Sequence, residues 1–285
     1  GGDPGAIQRL AALLRHRDRH VRESAVEALA VVTSDSIEGQ DRAVNACAVL
    51  LDDNDWIVRQ FALKAMANVV SSGNESATAI AVACLQDVDR DIRCQAVEIL
   101  PKVAPKGDAQ ALLNMAACLE DMDPDVRAAA MRCIPQLAKP GDAVVLEAMK
   151  GRLSSSEGHV RHGAVTVLPC LAKRGDAATI AALLARLDDD QVRVRVSAVN
   201  AIVALTLPSD ADTFMALAGG LEDEHKAVRW AVMKALGTLN PALDEKSERI
   251  LTARLDDGCF DDAWRHARDD ILPQSSFVRS LGAAA

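Results

Sequence analysis

Leu119-Glu120-Asp121-Met122-Asp123-Pro124-Asp125-Val126-Arg127 reads as the close of one helix, a tight acidic turn and the start of a second helix. The same turn recurs along the chain. Its Val-Arg or Ile-Arg pair returns with the arginine at Arg22, Arg59, Arg93, Arg127, Arg161, Arg195 and Arg229, in steps of 37 and then five of 34. A fixed period of this size marks a stack of like units rather than one closed core.

Aligning the columns on that arginine gives eight repeats: residues 2-38, 39-72, 73-106, 107-140, 141-174, 175-208, 209-242 and a degenerate 243-272, with a tail over 273-285. A small residue and then a polar one open most of them, as in Gly39-Gln40, Gly73-Asn74, Gly107-Asp108, Gly141-Asp142 and Gly175-Asp176. Glycine suits the end of the preceding helix, and Asp or Asn caps the next. The first helix then carries one apolar stripe at i, i+3 and i+7, such as Leu112, Met115 and Leu119, and Leu closes it in all eight repeats. The second helix repeats Val126, Ala130 and Ile134, and Ala25, Ala62, Ala96, Ala164 and Ala198 share the column of Ala130. Small side chains there let paired helices approach closely, and stacked neighbours complete each core. Pro101, Pro135 and Pro169 occupy one late position of the second helix, where an early helix end is expected. The three extra residues near Val32–Glu38 read as a tolerated loop insertion. The eighth repeat has Ala263 where Arg belongs and a charged second helix, which suits a C-terminal cap. The first repeat is less worn, so further repeats are expected upstream.

The bulk composition excludes several classes. Of the 285 residues 49% are hydrophobic and 2% aromatic, and no apolar run approaches the ~20 residues of a membrane span. No membrane insertion is therefore expected, and no targeting segment is visible. The chain starts without Met, which suits an excised segment. A net charge of -9 argues against a general nucleic-acid binder. The seven cysteines form no C-x-x-C pair and read as reduced, buried thiols, which points to an intracellular, cytoplasmic setting.

The pattern Leu-x-Asp-x-Asp-x-x-Val-Arg, as in Leu51-Asp52-Asp53-Asn54-Asp55-Trp56-Ile57-Val58-Arg59, resembles the HEAT repeat family over nearly the whole chain. The resemblance implies an all-α, right-handed α-solenoid of armadillo-like type, with about eight helix pairs and second helices lining the concave face. It also implies a ladder of bonds between neighbouring repeats, made by Asp53, Asp87, Asp121, Asp189, Asp223 and Asp257 with Arg59, Arg93, Arg127, Arg195 and Arg229. The column departs from Asp at His16 and Ser155, where a weakened ladder is expected. An arginine fork beside a carboxylate at a helix start has a structural rather than a catalytic use.

Some HEAT-like proteins are enzymes, among them a di-iron hydroxylase with His-Glu dyads and the bilin lyases. This chain has no His-Glu pair, and His159 and His162 lack a third ligand nearby in sequence. Arg174-Gly175-Asp176 falls in phase with the other helix-end pairs, so it is a turn and not an adhesion signal. The basic run Arg15–His20 with Arg22 reads as a solvated turn. Tryptophan is scarce, which makes Trp56 and Trp230 candidate anchors for a partner. Positions five after each arginine are expected to face a groove: Glu27, Lys64, Glu98, Arg132, Thr166, Asn200 and Lys234. The resulting expectation is a non-enzymatic, cofactor-free protein-interaction scaffold. Its partner would be a protein helix or extended segment in the concave groove. A HEAT-like lyase or cofactor-handling chaperone is the alternative, and a nucleic-acid adaptor ranks below both.

Overall fold

A computed structural model of the chain describes residues 3–33, 36–207 and 210–239. The chain divides into two compact units, Gly1–Val145 and Leu146–Ala285. The described residues form an all-α solenoid of antiparallel helix pairs. In the first unit the pairs are α1 (Pro4–Leu13) with α2 (Arg19–Thr33), α3 (Ile37–Ala48) with α4 (Trp56–Val69), α5 (Glu75–Cys84) with α6 (Arg90–Val103), and α7 (Ala109–Ala117) with α8 (Pro124–Leu137). Helix α9 (Ala143–Arg152) runs across the division. The second unit continues with α10 (Gly158–Leu171), α11 (Ala177–Leu184), α12 (Val192–Leu205), α13 (Ala211–Ala218) and α14 (Lys226–Leu239). The eighth repeat and the tail lie outside the described residues.

Two layers build the first unit: α1, α3, α5 and α7 pack in succession, and so do α2, α4, α6 and α8. The second unit stacks α10, α12 and α14 in one layer and α11 and α13 in the other. Leu112, Met115, Leu119, Val126, Ala130 and Ile134 are all buried, as the two stripes require. Burying a Leu or Ile side chain stabilises by about 1.5–3 kcal/mol, and each layer contributes such residues at every turn. Ala25, Ala62, Ala96, Ala164 and Ala198 are buried as well, so the second helices close up where a larger side chain would hold them apart. Two closing leucines depart from the stripe, because Leu51 and Leu187 are only half-buried. In the first case Leu50 takes the core position instead.

The turns are set by capping. Asn74, Asp108, Asp176 and Asp210 each accept a backbone N–H of the following first turn. Gly73 and Gly107 sit at φ 94° and 82°, the left-handed region that a helix end needs and other residues resist. Gly39-Gln40 does not follow this pattern. Ser36 caps α3 by accepting from Gly39 N, and Gly39 is buried inside the first turn, so the longer junction starts the helix early. The prolines also differ from expectation. α6, α8 and α10 run two residues beyond Pro101, Pro135 and Pro169, and each has 14 residues, as do α4 and α12, which lack proline. A proline this late removes one hydrogen bond near an end that is closed by other bonds, such as Ala104 N to Leu100 O.

Candidate functional site

The acidic turns carry one arrangement, repeated. In the second repeat Arg59 Nη1 donates to Asp53 O of its own turn at 2.9 Å, while Nε and Nη2 reach the carboxylate of Asp87 in the next turn, both at 3.0 Å. Asp87 uses Oδ1 again to accept Asp89 N. Arg93 grips Asp121 in the same way, as does Arg161 with Asp189, while Arg195 donates to Asp223 from Nη2 with Nε 2.8 Å from the same carboxylate. Each bond runs from one repeat's arginine forward to the following repeat's aspartate. The pairs are largely out of water: the Arg161 and Asp189 side chains are 8% and 2% exposed. Burial works to raise the Asp189 pKa, but the Arg161 fork and the N–H of Gln191 bring it down to about 2. Asp189 is therefore a fixed ion that joins two neighbouring repeats.

Forward pairing also changes what the two departures mean. Among the described residues no arginine of the periodic column precedes His16, and its Nδ1 accepts Asp18 N within its own turn. Ser155 keeps the local half of the arrangement, accepting Glu157 N on Oγ and Arg161 Nη1 on its carbonyl. Arg127 donates to Asp121 O and Met122 O and, among the described residues, meets no carboxylate. Arg229 holds its own turn carbonyl, Asp223 O, while Asp257 lies outside the described residues.

The first link is rerouted. Asp53 accepts from Arg15 Nε at 2.8 Å and not from Arg22. Arg22 Nη1 still holds His16 O and Arg17 O, but its guanidinium lies over the Phe61 ring, 4.8 Å from the centroid. Arg22 Nε is buried with no acceptor. Arg15 and Arg19 of the basic run are likewise engaged, Arg19 with Glu23 at 2.9 Å.

Arg22 opens onto a groove of about 640 Å³ across the second helices α2, α4 and α6. Trp56, Lys64 and Glu98 line it together, joined by Phe61, Gln95 and Lys102. Trp56 starts α4 and is 40% exposed. Lys64 Nζ stands 5.9 Å from the same Phe61 ring that carries Arg22. Gln95 donates to Gln60 O and leaves its Oε1 buried without a partner. Burial, with help from nearby Asp123, Asp125 and Glu98, pushes the Cys94 thiol on this wall up to about 11, so it stays protonated and a poor nucleophile.

The other expected groove positions are exposed, though not on this wall. Arg132 Nη2 donates to Glu98 at 2.9 Å, which ties the columns of α6 and α8. Glu27 and Thr166 are exposed on α2 and α10, and Asn200 and Lys234 on α12 and α14. Trp230 is 55% exposed at the column just after Arg229. Sequence reasoning places Arg22 in the periodic arginine column and in a solvated basic turn, and gives Lys102 no role. A signal for Phe61 existed: its column, two after the arginine, otherwise holds Ser24, Gln95, Ala129, Gly163, Ser197 and Ala231. Among the described residues no three His, Cys, Asp or Glu side chains converge to hold a metal ion, and no helix is long and apolar enough to cross a membrane.

A family model described as HEAT repeats matches residues 114–203. Over that stretch the sequence is similar to HEAT repeats. The chain's fold also resembles solved solenoids. A crystal structure of importin beta aligns with a TM-score of 0.64 at 14% identity, covering 93% of this chain and 40% of that one. An engineered protein aligns with a TM-score of 0.51 at 18% identity, covering 94% of this chain and 77% of that one. Identities this low bear on the fold alone. No curated protein matches the sequence.

Proposed function

We propose that this chain is a non-enzymatic scaffold that holds a partner protein's helix or extended segment against its second helices. The observation that carries the reading is the groove over α2, α4 and α6, which gathers the exposed indole of Trp56 with Lys64, Glu98 and Lys102 on one open wall. An aromatic platform bordered by charges of both signs suits a patterned peptide, with the indole as anchor and the charges setting register. In the turns, Asp87, Asp121, Asp189 and Asp223 are each paired with an arginine of the preceding repeat, which gives them a structural use. The fold supports this reading by analogy only, so the test is aimed at the face.

Gln60 lines the groove and Asn45 is exposed on the first-helix side, so a photo-crosslinking residue can be placed at either. With Gln60→benzoylphenylalanine, irradiation in an extract of the source cells is expected to give discrete protein adducts. Those adducts should be absent with Asn45→benzoylphenylalanine and reduced by Trp56→Ala. Equal adducts from both faces, or none from Gln60, would overturn the reading.

A further inference from the structure

The groove has an internal charge balance that its composition hides. It is lined by three carboxylates, and each already has a cation: Glu23 is held by Arg19 at 2.9 Å, Glu98 by Arg132 at 2.9 Å, and Asp91 lies 3.5 Å from Arg90. Its cations divide differently. Arg19 is spent on Glu23, whereas Arg22, Lys64 and Lys102 form no ion pair among the described residues. Arg22 is the most telling of the three, because it is 9% exposed and its Nε has no acceptor at all. A buried guanidinium N–H without a partner is costly, and an arriving carboxylate or a similar acceptor recovers that cost. The aspartate that would meet the arginine in the other links, Asp53, is held here by Arg15. The Phe61 ring holds Arg22 and Lys64 on one patch of wall, where their charges add.

We infer that this groove takes an acidic peptide segment of a protein partner, with carboxylates meeting Arg22, Lys64 and Lys102 and an apolar side chain laid on Trp56. The inference rests on the scaffold reading and adds the chemistry of the partner. A peptide fits better than a nucleic acid for two reasons. The bound carboxylates Glu23, Asp91 and Glu98 interrupt the wall and repel a continuous polyanion, but a peptide places neutral residues opposite them. The chain's charge of -9 likewise lacks the broad positive field that nucleic-acid binding draws on.

The test uses the whole chain and fluorescence anisotropy of a labelled synthetic peptide in which Glu alternates with Leu. The comparison probes are the corresponding Lys-Leu peptide and labelled oligothymidine. Saturable binding of the Glu-Leu peptide is expected, with the Lys-Leu peptide and oligothymidine bound at least ~10-fold more weakly. Lys64 and Lys102 are both exposed, so Lys64→Glu/Lys102→Glu leaves the packing intact and is expected to weaken binding ~10-fold or more. Lys139→Glu/Lys173→Glu makes the same charge change in the turns after α8 and α10 and is expected to alter binding less than ~2-fold. Trp56→Ala should also weaken it. The inference is overturned if the Glu-Leu peptide does not bind, if it binds no better than the Lys-Leu peptide, or if the two double variants behave alike. Preference for oligothymidine would make the groove a phosphate-binding site instead. Crosslinked partners at Gln60 without binding of the Glu-Leu peptide would end this inference alone, and absence of both would end the scaffold reading with it.

Discussion

Arg22 and Arg59 hold the same place in their repeats and make the same local bonds, to carbonyls of the preceding turn. Their outward faces differ, since Arg59 has Asp87 and Arg22 has an aromatic ring. Period alone could not reveal this, because it reports columns and not which of two arginines reaches a shared aspartate first. The odd residue in the column, Phe61, was the readable trace. At the regular positions the ionic state matters most, and Asp189 illustrates it. Its carboxyl is held at about 2, below the ~3.9 of an unfolded chain, so the folded state prefers the ion. The contribution is then complete above about pH 4 and is lost as pH falls through about 2. Asp189→Asn removes a buried partner of Arg161 and is expected to cost on the order of 3 kcal/mol at pH 7 in urea unfolding. Between about pH 4 and 2 the variant should lose less further stability than the wild type. Parallel pH profiles for the two proteins would show that this carboxylate is not a fixed ion in the ladder.

At the scale of helices, the sequence told type and order well and told ends less well. Alternation of stripes with acidic turns gives the order of all fourteen described α-helices. The Gly39-Gln40 pair misled because three extra residues shift the cap to Ser36, and a serine followed by Glu38 and a half-turn more is an ordinary helix start. The proline column misled for another reason. Each proline stands two residues from its helix end, where little of the ladder of i→i−4 bonds remains to be broken. That difference can be measured at Pro101. Alanine there restores one backbone bond, about 1 kcal/mol, but releases an unfolded chain that proline had restricted by about 0.4–1 kcal/mol. Pro101→Ala is therefore expected to change stability by less than about 1 kcal/mol with an unchanged far-ultraviolet circular dichroism spectrum. Stabilisation approaching the ~3 kcal/mol of an interior proline would mean that α6 is strained after all.

Across the chain, the regular step of 34 made the solenoid legible, because each repeat shows its apolar stripes in phase. The groove was less legible, because it depends on which charges find partners within the fold. Repetition also governs how stability is distributed. In a stack where each unit touches only its neighbours, total stability is close to a sum of single-repeat and neighbour terms, and damage to one joint stays near it. A closed core behaves otherwise, since a defect anywhere lowers the free energy of one cooperative transition. The joint between Arg93 and Asp121 allows the two cases to be separated, as it links the third and fourth repeats with a pair only 11% and 12% exposed. Asp121→Asn leaves Arg93 buried beside an uncharged amide and is expected to remove about 3 kcal/mol. In native-state hydrogen exchange the amides of α6 and α8, the second helices on either side, should lose protection by a factor of up to ~100. Those of α12 and α14 should exchange as in the wild type. Uniform loss of protection from α2 to α14 would contradict the nearest-neighbour account, because a stack with local joints has no means of carrying the full cost of one lost carboxylate to every repeat.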